Sequence, residues 1–171
     1  NDSAVLSRAK IYRYNHLDLN MLEKQIKRSQ EKNKWIITDG VFSMDGDTAN
    51  IEGLLDLCKE YEAYLFIDDA HGYGVIGKNG QGILSNNNLH KYTQNDLERI
   101  IYMHTLGKAV GISGAMVSAK KNIIELLIQK SKSIDDLPVA SETINERKRI
   151  TSSIDRLCII DRMIDKLNEG C

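Results

Sequence analysis

The chain has 171 residues, 42% of them hydrophobic and 27% charged, with 23 Lys and Arg against 24 Asp and Glu and a formal net charge of −1. That balance is too apolar for a disordered tail and lacks the basic excess that nucleic acid or a membrane surface would select, and no apolar run reaches the roughly 18 residues of a membrane-spanning helix. Cys58, Cys158 and Cys171 are too few and too scattered for a disulfide framework or a zinc site, and no basic-then-apolar export leader opens the chain, so the expected compartment is a reducing cytoplasm.

In chain order, an amphipathic stretch from Asp18 to about Gln30 places Leu19, Leu22 and Ile26 at helical spacing. Trp35-Ile36-Ile37 then reads as a buried strand that ends in Thr38-Asp39-Gly40. Asn50 is placed to cap a second helix with Ile51, Leu54, Leu55 and Cys58 as its apolar stripe. A second strand, Tyr64 to Ile67, stops at Asp68-Asp69; a glycine-rich loop and a polar segment (Ser85 to Asp96) follow. Ile100 to Met103 predicts a third strand, Ala115 to Ser118 a short fourth, and Lys121 to Lys130 a helix. Strands alternating with helices predict an α/β layer on a mostly parallel sheet. Beyond a boundary near Ser133 the period is lost. It returns in a terminal helix capped by Ser152 or Ser153, lined by Ile154, Leu157, Ile160, Met163, Ile164 and Leu167, and closed by Gly170.

In open α/β sheets, ligands bind beyond the carboxyl ends of the strands. Three predicted strand ends carry polar groups there: Asp39 to Asp47, Asp68 to His71, and His104 to Lys108. Singly, each has an ordinary explanation: a solvated loop lysine, acids that cap turns, a hydrogen-bonded structural histidine. Together, an acid, an imidazole and a lysine at successive strand ends suit pyridoxal phosphate, where a lysine forms the Schiff base and an acid keeps the ring nitrogen protonated. Gly72-Tyr73-Gly74-Val75-Ile76-Gly77 has the spacing of a dinucleotide fingerprint, but Asp-Asp-Ala-His intervenes after the strand and Gly80 and Gly82 follow, so the required helix is not expected. Asp45-Gly46-Asp47 lacks the later glycine of a calcium loop.

Thr38-Asp39-Gly40-Val41-Phe42-Ser43-Met44-Asp45-Gly46-Asp47, Asp68-Asp69-Ala70-His71-Gly72 and Thr105-Leu106-Gly107-Lys108 resemble, in order, three motifs of the α-oxoamine synthases. These are pyridoxal phosphate enzymes of the aspartate aminotransferase fold (fold type I), with helices on both faces of a mostly parallel sheet. The resemblance implies a transferase that condenses an amino acid with an acyl-CoA or acyl-carrier-protein thioester and releases carbon dioxide. It implies Lys108 as the Schiff-base lysine, Asp68 as the carboxylate on the pyridine nitrogen, His71 as the imidazole on the ring oxygen, and Ser43 and Thr105 as hydroxyls beside the cofactor. Ala70 and the run Gly74-Val75-Ile76-Gly77 resemble most the member that joins alanine to a pimeloyl thioester in biotin synthesis. The member joining glycine to an acetyl thioester, or another member of the family, is the alternative. A homodimer with no nucleic-acid or membrane partner is implied as well.

The family's members are longer. The segment with their ring-stacking histidine and aromatic phosphate-site turn has no counterpart here, so the chain is expected to be an incomplete copy of the fold: residues 1–133 from the large domain and 134–171 from the small one. Arg147-Lys148-Arg149-Ile150-Thr151 resembles the small-domain stretch that binds the substrate carboxylate, which makes Arg149 the candidate there. A single proline, Pro138, where average usage of about 5% would give roughly eight or nine, fits missing linkers and loops. Two readings from other classes compete: an inactive α/β interaction module keeping the motifs as relics, and a nucleotide-binding oxidoreductase resting on the glycine run.

Overall fold

The computed structural model describes Ser7 and residues 9–130. The boundary near Ser133, the terminal helix and Arg149 lie outside the described residues.

Helix α1 (Leu19–Arg28) starts where Asp18 Oδ1 accepts the Met21 N–H at 2.9 Å, and it buries Leu22 and Ile26. Strand β1 (Lys34–Asp39) alternates, with Ile36 and Thr38 buried and Trp35 and Ile37 exposed. Helix α2 (Ile51–Glu60) is capped by Asn50, whose Oδ1 accepts the Gly53 N–H at 2.9 Å, and Ile51, Leu54, Leu55 and Cys58 are all buried as the apolar stripe predicts. Strands β2 (Ala63–Asp68), β3 (Ile100–Thr105) and β4 (Ala115–Ser118) follow, and helix α4 (Lys121–Lys130) ends the described chain.

The polar segment is more structured than its composition suggests. Three short 3₁₀ turns (Lys78–Gly80, Ile83–Asn86, Leu89–Lys91) lead into a one-turn helix, α3 (Gln94–Leu97). Thr93 and Asp96 close α3 with a reciprocal capping box. Ile83, Leu89, Tyr92 and Leu97 join the core, and the Tyr92 hydroxyl lies 2.8 Å from both the Glu52 carbonyl and Asp56 Oδ1, which fastens this segment to α2.

The sheet order is β1-β2-β3-β4. β1 and β2 run parallel in the register Asp39↔Asp68, β2 and β3 parallel in the register Asp68↔Met103, and β4 is antiparallel to β3 with Thr105 opposite Ala115. The mostly parallel sheet expected from the sequence is therefore present. One face, carrying Ile36, Leu65, Ile67, Ile100 and Tyr102, packs with Leu22, Ile26, Leu54, Leu55 and Cys58 of the helices into a single core. On the other face, among the described residues, Trp35 and Ile37 are 52% and 55% exposed and Trp35 stacks on Tyr64 with ring centroids 5.0 Å apart. Since β1, β2 and β3 are parallel, their carboxyl ends share one edge, and that edge carries Asp39, Asp68 and Thr105.

Candidate active site

The three strand ends meet as the sequence order requires. His71 and Lys108 are 37 residues apart in the chain, yet Lys108 Nζ lies 2.8 Å from His71 Nε2. Both side chains are exposed at the sheet edge. Asp68 closes β2 and turns the chain: its Oδ1 accepts the Ala70 N–H at 3.0 Å, a local Asx turn that aims the following residues across the strand ends. Asp39 stands beside it as its register partner. Burial first, and then the charge of Asp68, holds the Asp39 carboxyl above the usual carboxylate range, while the charges of His71 and Lys108 pull it back. Two carboxyls, an imidazole and an amine thus share one electrostatic neighbourhood.

Thr105 ends β3 with its Oγ1 buried and without a hydrogen-bond partner among the described residues. Ser43 lies in the exposed turn between Val41 and Thr48, which pair as an isolated antiparallel bridge just after β1. It makes no hydrogen bond to Asp68, His71, Thr105 or Lys108 among the described residues. The structure therefore brings Asp68, His71, Thr105 and Lys108 to one edge, sets Ser43 on the neighbouring loop, and does not describe Arg149.

Asp69 and His104 are the residues whose importance sequence reasoning missed. Asp69 is fully buried, with Oδ2 accepting the Tyr102 O–H at 2.5 Å and the Ile83 N–H at 2.8 Å. Burial holds its carboxyl above the usual range against the pull of those two donors. Its Oδ1 is wedged between two glycines: a Cβ on Gly72 would stand 2.1 Å from it, and one on Gly40 2.5 Å. Gly40 and Gly72 flank the first two strand ends, so Asp69 sets how closely those loops approach. Its signal in the sequence is only that a second acid follows Asp68 beside glycines. His104 is 1% exposed, neither ring nitrogen has a hydrogen-bond partner among the described residues, and its ring stacks on Tyr73 at 3.6 Å between centroids and 17° between planes.

This donor set fits pyridoxal phosphate. A primary amine within hydrogen-bond distance of an imidazole suits an aldehyde beside a ring hydroxyl, a carboxylate at the adjacent strand end suits a protonated ring nitrogen, and the buried Thr105 hydroxyl lacks the partner that a bound ligand would supply. The glycine run Gly72 to Gly77 forms turns and no helix, so it does not make the helix N-terminus that a dinucleotide pyrophosphate needs.

Comparison with known proteins defines the class. The model of the family "Aminotransferase class I and II" matches residues 1–134, and the chain belongs to this family and, within it, to the α-oxoamine synthases. Over 133 residues it is 52% identical to the 8-amino-7-oxononanoate synthase of Nitrosospira multiformis, a match covering 78% of this chain and 32% of that one. Among solved structures, the 8-amino-7-oxononanoate synthase of Francisella tularensis superposes with a TM-score of 0.62 at 32% identity, covering 78% of this chain and 36% of that one. A serine palmitoyltransferase with PLP superposes with a TM-score of 0.63 at 26% identity, over 74% of this chain and 30% of that one. The chain spans less than half the length of the curated relatives it matches, 44% of one and 32% of another.

Proposed function

We propose that the chain is the lysine-bearing part of a pyridoxal phosphate-dependent acyltransferase that condenses L-alanine with a pimeloyl thioester to 8-amino-7-oxononanoate, a step of biotin biosynthesis. The observation that carries this reading is Lys108 Nζ held 2.8 Å from His71 Nε2 at the strand end beside Asp68. The 52% identity to a protein of that name supports the choice of alanine and pimeloyl over glycine and acetyl.

When bound, pyridoxal phosphate supplies an aldehyde to Lys108 and an electron-poor ring that withdraws electrons from the amino acid's α-carbon. The chain's own residues supply positioning and proton transfer. Lys108 Nζ would be the base that takes the α-proton. His71 would hold the ring oxygen and orient Lys108 Nζ. Asp68 would keep a proton on the ring nitrogen, because a carboxylate at that atom favours its charged form. Thr105 Oγ1 and Ser43 would supply further hydroxyls to hold the cofactor. Overall, a bond forms between the amino acid's α-carbon and the acyl carbonyl, the thiol of coenzyme A or of a carrier protein leaves, and the carboxylate departs as carbon dioxide. Residues 134–171 belong in this reading to the small domain, where Arg149 meets the substrate carboxylate, and the protein works as a cytoplasmic homodimer.

Thiol release tests the reading. The full-length protein loaded with pyridoxal phosphate is expected to release thiol with alanine plus pimeloyl thioester at least tenfold faster than with glycine plus acetyl-CoA. The reverse preference would select the glycine-using alternative. No release with any pair, together with no uptake of cofactor, would select the inactive interaction module.

A further inference from the structure

His104 is a buried titratable group that this chemistry does not use. It occupies the end of β3, four residues before Lys108, with Met116 of β4 opposite it. Neither ring nitrogen is hydrogen-bonded among the described residues, so the ring's close contacts are aromatic: Tyr73 face to face at 3.6 Å, and Tyr102 tilted at 5.5 Å. Tyr73 lies two residues beyond His71. The next residue, Gly74, adopts φ +82°, and a Cβ there would stand 2.8 Å from the Cβ of Ala109, the neighbour of Lys108. Three contacts therefore join the loop after β2 to the segment after β3: Tyr73 on His104, Gly74 on Ala109, and His71 on Lys108. The first lays a half-buried Tyr73 ring nearly parallel on the buried His104 ring, whereas the last joins two exposed side chains.

We infer that His104 is a positioning residue, whose ring stacked on Tyr73 clamps the His71 loop to the Lys108 segment and so sets the amine–imidazole distance. The inference rests on the proposed use of Lys108 and His71 with pyridoxal phosphate. A stacked aromatic pair contributes up to about 1.4 kcal/mol beyond its buried area, which corresponds to about a tenfold change in the population of a correctly placed loop. Since the contact uses the ring's face and not its nitrogens, phenylalanine should replace histidine here and alanine should not.

Two measurements on the full-length protein test this. Without cofactor, hydrogen exchange is followed at the amides of Gly72 to Ile76, which bond to Asp69, Gly72 and Gly80 carbonyls. With cofactor, the dissociation constant of pyridoxal phosphate is measured by fluorescence. His104→Ala is expected to raise exchange in that segment severalfold and to weaken cofactor binding about tenfold, while His104→Phe stays within about twofold of the parent in both. In a His71→Ala background, His104→Ala should add almost nothing to the loss of affinity, because the residue it positions is gone. Unchanged exchange in His104→Ala, failure of Phe to rescue, or a full tenfold loss on top of His71→Ala would overturn the inference. If His104→Ala does not fold, Tyr73→Ala, on the half-buried side of the stack, takes its place under the same criteria. A parent protein that binds no pyridoxal phosphate would refute the functional reading, and the exchange measurement would still decide the clamp.

Discussion

Asp68 and Asp69 follow one another where β2 ends, and the alternation of an extended chain sends their carboxyls to different places. Asp68 stays at the sheet edge, where it can meet a ligand. Asp69 turns into the core, where Tyr102 and Ile83 donate to it and Gly40 and Gly72 crowd it. Asp69→Ala would strand two buried donors, at about 1–3 kcal/mol each, and urea unfolding is expected to show a loss in that range or above. Gly72→Ala must displace Asp69 Oδ1, since the new Cβ would stand 2.1 Å away, and is expected to destabilise by about 1–3 kcal/mol. His104 gives a pH-dependent counterpart. Burial lowers its pKa below the ordinary value of 6.5, so the unfolded chain binds the proton more readily than the native one. Its contribution to stability is then present above pH ~6.5 and falls away as the pH drops through the lowered native value. The ring nitrogens, which have no hydrogen-bond partner among the described residues, add a desolvation cost. His104→Phe is therefore expected to raise the melting temperature by a few degrees at pH 7, and by more at pH 5, in scanning calorimetry. A larger gain at pH 8 than at pH 5 would contradict this account of the buried imidazole.

The elements divide by how far a local pattern determines them. Asn50 was legible as a cap because a side-chain oxygen ahead of an apolar periodic run has a specific use, and it accepts the Gly53 N–H; Asp18, read only as the start of an amphipathic stretch, caps α1 in the same way. Asn50→Ala is expected to cost about 1 kcal/mol and Leu55→Ala about 2–5 kcal/mol in urea unfolding, the second because Leu55 is 1% exposed under the sheet. The turns from Lys78 to Lys91 were not legible, since units of three or four residues have no period to detect. Their order comes from tertiary partners: Ile83 on Asp69, Tyr92 on Glu52 and Asp56. The candidate site was legible as a set of strand-end motifs, and the parallel topology explains why the three ends converge. The contact between His71 and Lys108 was not, because 37 residues separate them and only the loop trajectory decides their distance. Nor was the stack of His104 on Tyr73, for a histidine near a strand end reads alike whether its ring faces solvent or core.

At the scale of the molecule, a one-sided core holds the strand ends in register, and those ends present a lysine, an imidazole and carboxyls along one edge. Helices α1, α2 and α3 pack against the face opposite Trp35 and Ile37, so the stability of the described fold and the placement of the site come from the same layer. Two loops cross that edge, one led by Asp68 to His71 and the other carrying Lys108, and everything proposed about function depends on both meeting one cofactor. The most direct measurement is borohydride reduction of the full-length protein after incubation with pyridoxal phosphate, followed by peptide mass mapping. A single pyridoxyl adduct on Lys108 is expected, with no reducible visible absorbance in Lys108→Ala. An adduct on another lysine, or a reducible chromophore that survives in Lys108→Ala, would contradict it.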